Sequence, residues 1–131
     1  MQVVIFKIGE EQFAVETGQV QSICDMMNIT KVPKASSYIK GLINLRGIII
    51  TVLNINLILG IEESSCKDQN IIILNLKDES IGITVDSVEE VLDIEDRYIE
   101  KVMEKEKPFL KGIINLKDRI ITLIDLDKIE L

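Results

Sequence analysis

The sequence predicts a mainly β protein made of two small barrels, about five short strands each, that arose by internal duplication. Three observations lead there. The apolar residues are 47% of the 131 and are mostly Ile and Val with few aromatics. Such β-branched side chains fit a pleated surface better than a helix. One segment occurs twice. Turn residues recur about every 8–12 positions between short apolar runs, the spacing of an all-β sandwich or barrel.

The elements follow in order. Val3 to Ile8 is a short apolar run, Gly9-Glu10-Glu11-Gln12 a polar turn, and Phe13 to Val15 a second run, which together read as a hairpin. "VQSICDMMNITKV" reads as a strand and a variable connection. Pro33 bars a helix from running into it, and Ser36-Ser37 are placed to cap a short helical turn before Gly41. "GLINLRGIIITVLNI" reads as two strands joined at Arg46-Gly47, where Gly47 supplies a tight or left-handed turn. "NINLILG" is a short helical turn stopped by Gly60.

The same order then repeats. Lys40, Gly41, Ile43, Asn44 and Leu45 align with Lys111, Gly112, Ile114, Asn115 and Leu116, and Ile49, Ile50 and Thr51 with Ile120, Ile121 and Thr122. Upstream, the apolar pattern of "VIFKIGEEQFAVETGQVQSI" lies on "IIILNLKDESIGITVDSVEEV", so that Val20 and Ile23 meet Val88 and Val91. The units are approximately 1–66 and 67–131, split near Ser64 to Asn70. Each is too small to bury much alone, so residues 1–131 are expected to fold as one domain that shares apolar surface between the units. Arg46-Gly47 occurs in one copy only. Lys117-Asp118-Arg119 stands where the first copy has Arg46-Gly47-Ile48.

The net charge of −7 is unevenly spread. Met26 to Ile61 holds no acid but carries Lys31, Lys34, Lys40 and Arg46, while Glu89, Glu90, Asp93, Glu95 and Asp96 form an acidic patch. A basic face on an acidic body selects and orients a partner. Arg46 is either a structural arginine bonded to backbone carbonyls or, the preferred reading, a rim arginine that offers its planar head to a partner.

Several function classes are set aside. There is no histidine, which removes Ser-His and Cys-His nucleophilic catalysis and the commonest zinc ligand. Asp125 and Asp127 alternate along one predicted strand, and Asp86 lies near Glu89 and Glu90. Carboxylate pairs of this kind run acid–base or metal chemistry, but solvated strand ends are the preferred reading. Cys24 and Cys66 form no CxxC pair and read as reduced thiols. No apolar stretch reaches the ~20 residues of a membrane span, and the N-terminus lacks the basic start of a signal peptide. The expected location is the cytoplasm. A small β-barrel nucleic-acid module remains the alternative, supported by the basic stretch, but only Tyr38 in that stretch is available to stack on a base.

The block "GLINLRG" followed by "IIITVLNINLILG", the opening "VVIFKIGEEQFAVETGQVQSI", the later "GITVDSVEEV" and the closing "GIINLKDRIITLIDLDKI" together resemble the CheW-like coupling proteins of bacterial and archaeal chemotaxis, nearly end to end. The resemblance implies two five-stranded SH3-like barrels around a shared core, with strand exchange between them permitted. It implies an adaptor with no catalytic residue, metal or cofactor. Its partners would be a chemotaxis histidine kinase, through the kinase regulatory domain, and the cytoplasmic tip of a methyl-accepting chemoreceptor. It would bind no nucleic acid and insert in no membrane, and would be recruited to membrane-associated receptor arrays. Val20, Gly41 and Arg46 match family positions associated with receptor or kinase coupling, and Val88 and Val91 match another part of the groove between barrels. Ser22 stands where the family often has Glu, and Asn54 where its pattern has Asp. The initial Met and short length favour a free adaptor over an excised kinase domain, and the chain ends at Leu131 without the C-terminal helix of many relatives, as expected of either a minimal member or a trimmed chain.

Overall fold

The computed structural model of the chain describes residues 1–61, 70–102 and 107–128. Cys66 and most of the expected boundary between the units lie outside them. The first unit contributes β1 (Gln2–Ile8), β2 (Glu11–Glu16), β3 (Val20–Asp25), β4 (Ile39–Leu45), β5 (Ile48–Leu53) and a one-turn helix α1 (Ile55–Leu59). The second contributes β6 (Asn70–Leu76), β7 (Glu79–Val85), β8 (Ser87–Asp93), β9 (Ile99–Lys101), β10 (Leu110–Leu116) and β11 (Arg119–Ile124).

The strands do not stay with their own unit. One six-stranded sheet has the order β8-β1-β2-β11-β10-β9, and one five-stranded sheet the order β3-β6-β7-β5-β4. Each unit therefore lends its first hairpin to the sheet of the other. The lent hairpins are received through parallel pairings, β2 on β11 (Phe13 opposite Thr122) and β7 on β5 (Ile81 opposite Thr51). The exchange is reciprocal down to single contacts. Lys40 Nζ donates to Thr84 Oγ1 at 3.2 Å, and at the equivalent place Lys111 Nζ donates to Glu16 Oε1 at 3.0 Å.

The exchange accounts for the unbroken apolar runs of the hairpins. In β1, Val3 and Ile5 enter a cluster with Ala14, Ile114, Ile121 and Leu123 inside the six-stranded sheet. Val4, Phe6 and Ile8 enter a larger cluster with Phe13, Ile72, Leu74, Ile83 and Val85 that lies between the sheets. A third cluster, with Ile43, Ile50, Val52, Ile71 and Ile73, fills the five-stranded sheet. A strand buried on both faces needs apolar residues at consecutive positions rather than alternate ones. Phe6 and Phe13 stack across the first hairpin with ring centroids 5.9 Å apart.

The turns explain where the copies diverge. Arg46 and Gly47 both have positive φ, 53° and 86°, as a two-residue hairpin turn of the I′ kind requires. Asn44 Oδ1 accepts a bond from Gly47 N at 2.8 Å. Neither Lys117 nor Asp118 has positive φ. The second copy's turn has a different hand, and glycine is not needed there. α1 starts at Asn54, whose side chain accepts from Leu57 N, and ends at Gly60 with φ 71°. At Ser36-Ser37 the structure has a single hydrogen-bonded turn rather than a helix. Ile39 N donates to Ser36 O at 3.0 Å and Tyr38 N to Ser36 Oγ at 3.2 Å, and Ile39 then enters β4, which ends the turn.

Candidate functional site

β3 and β8 are edge strands of the two sheets, and each carries a register shift that decides which side chains share a face. In β3, Val20 lies opposite Leu74 and Ile23 opposite Ile72, with the shift between Val20 and Ser22. In β8, Val88 lies opposite Phe6 and Val91 opposite Val4. Those four partners all belong to the cluster between the sheets. A bulge inserts one residue and so brings positions three apart onto one face. Val20, Ile23, Val88 and Val91 therefore form two equivalent apolar pairs that flank the shared core. Val20 and Val88 are half-buried against it, while Ile23 and Val91 are 43% and 50% exposed.

Ile23 was not among the sequence-derived candidates. Its signal was present, because it is the repeat counterpart of Val91. Ser22 does not join this face. It lies opposite Ile73, whose side chain is inside the five-stranded sheet, and its hydroxyl is 3.9 Å from Cys24 Sγ. Its counterpart Glu90 lies opposite Ile5 and is ion-paired with Arg119.

Gly41 is buried, and the reason is steric. A Cβ there would collide with Thr30 O and sit 3.0 Å from Thr30 C, because Thr30 and Leu42 exchange backbone bonds of 2.8 Å. Gly112 is under the same constraint from Glu100 O at 2.8 Å. Gly41 thus lets β4 approach Thr30 closely. Arg46 is exposed at the β4–β5 tip, beside Ile48 and Ile49, which are 64% and 60% exposed. The Arg46 side chain is exposed rather than buried among backbone carbonyls. The β4–β5 pair and β3 stand at opposite edges of the five-stranded sheet, which sets the tip apart from the valine band.

The carboxylates considered for chemistry serve the fold. Asp86 Oδ2 accepts from Gly9 N at 2.7 Å. Asp127 Oδ1 accepts from Lys77 N at 2.9 Å, and Asp125 Oδ1 from Gln19 Nε2 at 2.8 Å. Among the described residues no group of three or more His, Cys, Asp or Glu is placed to hold a metal ion, and no helix is long and apolar enough to cross a membrane. The basic stretch is also partly committed to the fold, since Lys40 reaches Thr84.

Residues 2–130 match the model of the CheW-like domain. The chain belongs to the CheW-like domain family. Among its CheW relatives, the chemotaxis protein CheW of Thermotoga maritima is 35% identical over 130 residues, 98% of this chain and 86% of that protein. The Bacillus subtilis chemotaxis protein CheW is 28% identical over 93% of this chain and 81% of its own. The crystal structure of a scaffolding CheW protein from Thermoanaerobacter tengcongensis superposes with a TM-score of 0.86 at 32% identity, covering 95% of this chain and 88% of that one. The CheW fold of two interlocked β sheets is thus this chain's fold, and at family level the chain is a chemotaxis scaffold.

Proposed function

We propose that this chain is a non-enzymatic cytoplasmic adaptor that couples a chemoreceptor tip to a histidine kinase through the kinase's regulatory domain. The observation that supports the reading is two regions of exposed apolar side chains on a CheW-like scaffold. One is the apolar band Val20, Ile23, Val88 and Val91 along the shared core. A receptor helical hairpin, with an apolar stripe on its surface, fits such a band in the helix-in-groove mode. The other is the β4–β5 tip, where exposed Ile48 and Ile49 supply apolar contact and Arg46 supplies a directional, charged donor. A small apolar patch with an arginine beside it has the make-up of an interface core. This tip takes the kinase regulatory domain. Holding both partners at once raises their effective concentration for one another, and through the receptor the protein joins membrane-associated arrays.

The test is a three-component pulldown. Immobilised receptor-tip fragment should retain the kinase regulatory domain only when this protein is added, and both should elute with it. Binding of either partner alone, with no ternary complex at any stoichiometry, is the result that contradicts the adaptor.

A further inference from the structure

The pair Asp125 and Asp127 belongs neither to the valine band nor to the tip. Both follow β11, in the six-stranded sheet. Gln19 ends the 3-10 turn Thr17–Gln19, where the chain crosses from β2 in one sheet to β3 in the other. Its Nε2 donates to Asp125 Oδ1 at 2.8 Å and to Asp127 Oδ2 at 3.3 Å. Asp127 also accepts from Lys77 N, in the β6–β7 turn of the other sheet, and its own N–H donates to Asp125 Oδ1 at 3.1 Å. Val20 follows Gln19 directly, and Val20 N–H closes the same 3-10 turn on Thr17 O. Two carboxylates thus hold a crossover and a turn of opposite sheets at one point, through bonds of the stronger, charge-assisted kind.

At the second copy's crossover the described bonds are different ones. The counterpart of Gln19 is Ser87, whose Oγ bonds Glu89 in its own strand at 3.3 Å. The counterpart of Asp125 is Asn54, which caps α1. The crossover before Val88 is instead tied by Asp86, whose N–H donates to Lys7 O at 2.9 Å and whose carboxylate takes Gly9 N. The two halves of the apolar band are therefore fixed by independent devices.

We propose that Asp125 and Asp127 are positioning residues that hold Gln19, and through it Val20, in place for the receptor, an inference that rests on the adaptor reading for its functional part. Gln19→Glu sets a third carboxylate against the pair. It should speed amide hydrogen exchange at Val20 and Lys77 about tenfold and leave Gly9 and Asp86 unchanged, since local opening is read amide by amide. Affinity for a soluble helical-hairpin fragment of a methyl-accepting chemoreceptor tip should fall about tenfold, the effect of losing a bond to a charged group. Affinity for the kinase regulatory domain should stay within about twofold. Asp125→Asn in the Gln19→Glu background restores a donor and should recover most of both losses, while Ser87→Ala should change neither. Unchanged exchange at Val20 and Lys77 overturns the clamp. Faster exchange with receptor affinity intact overturns its positioning role. A wild-type protein that binds no receptor fragment overturns the adaptor reading, and with it the functional part of this one, while the exchange data still decide the clamp.

Discussion

At Arg46 the backbone is held at φ 53° by the hairpin and by the Asn44 bond to Gly47, and the side chain is exposed. Folding thus uses the backbone of this residue, and its head is exposed. Arg46→Ala should keep the thermal midpoint within a few degrees, since surface substitutions usually stay within about 0.5 kcal/mol, and should weaken capture of the kinase regulatory domain. Loss of the folded far-UV circular dichroism signal would instead make the arginine structural. Gly41 is the opposite case. Gly41→Ala drives a methyl into the Thr30 carbonyl, an overpacking that costs about 1–3 kcal/mol. Urea titration should show a lower midpoint with unchanged slope, and any binding defect should scale with that instability. Normal stability with lost binding would mean that Gly41 touches a partner after all.

At the scale of elements, the exchanged hairpins decide what can fold. Residues 1–66 contain β1 and β2 but none of the strands those two pair with in the other unit, and residues 67–131 lack the strands that receive β6 and β7. Expressed apart, each half leaves a two-faced apolar hairpin without its sheet, and a lone hairpin is marginal in water. Each half should be disordered or aggregated by circular dichroism and light scattering, and mixing them from denaturant should restore the native signal. A cooperative unfolding transition from either half alone would show that the exchange is dispensable. The hairpins, the Gly47 turn and the α1 stop at Gly60 are legible in the sequence because each rests on neighbouring residues. The exchange enters only as something the resemblance permits, because the parallel pairings of Phe13 with Thr122 and Thr51 with Ile81 join residues far apart in the chain. The site is legible to the same degree. Val20, Val88 and Val91 follow from the repeat and the resemblance. Ile23 and the inward face of Ser22 depend on a bulge that period-two reading does not foresee, since that period would set Ser22 beside Val20.

At the scale of the whole molecule, the duplication supplies two related sheets whose equivalent edge strands β3 and β8 form the valine band, while the β4–β5 and β10–β11 turns differ between the copies. The valine band needs both sheets, because β3 belongs to one and β8 to the other. The tip belongs to the five-stranded sheet alone. A substitution in the band should therefore act on one partner. Val20→Asp places a charge where the side chain is half-buried against the shared core, and docking a hairpin there would desolvate it without a counter-ion. Isothermal titration of the folded Val20→Asp protein, against the receptor-tip fragment and the kinase regulatory domain separately, tests the two-surface adaptor most directly. The account predicts that receptor binding is lost and that kinase affinity stays within about threefold of wild type. Equal loss of both affinities in a protein with a native spectrum would contradict it.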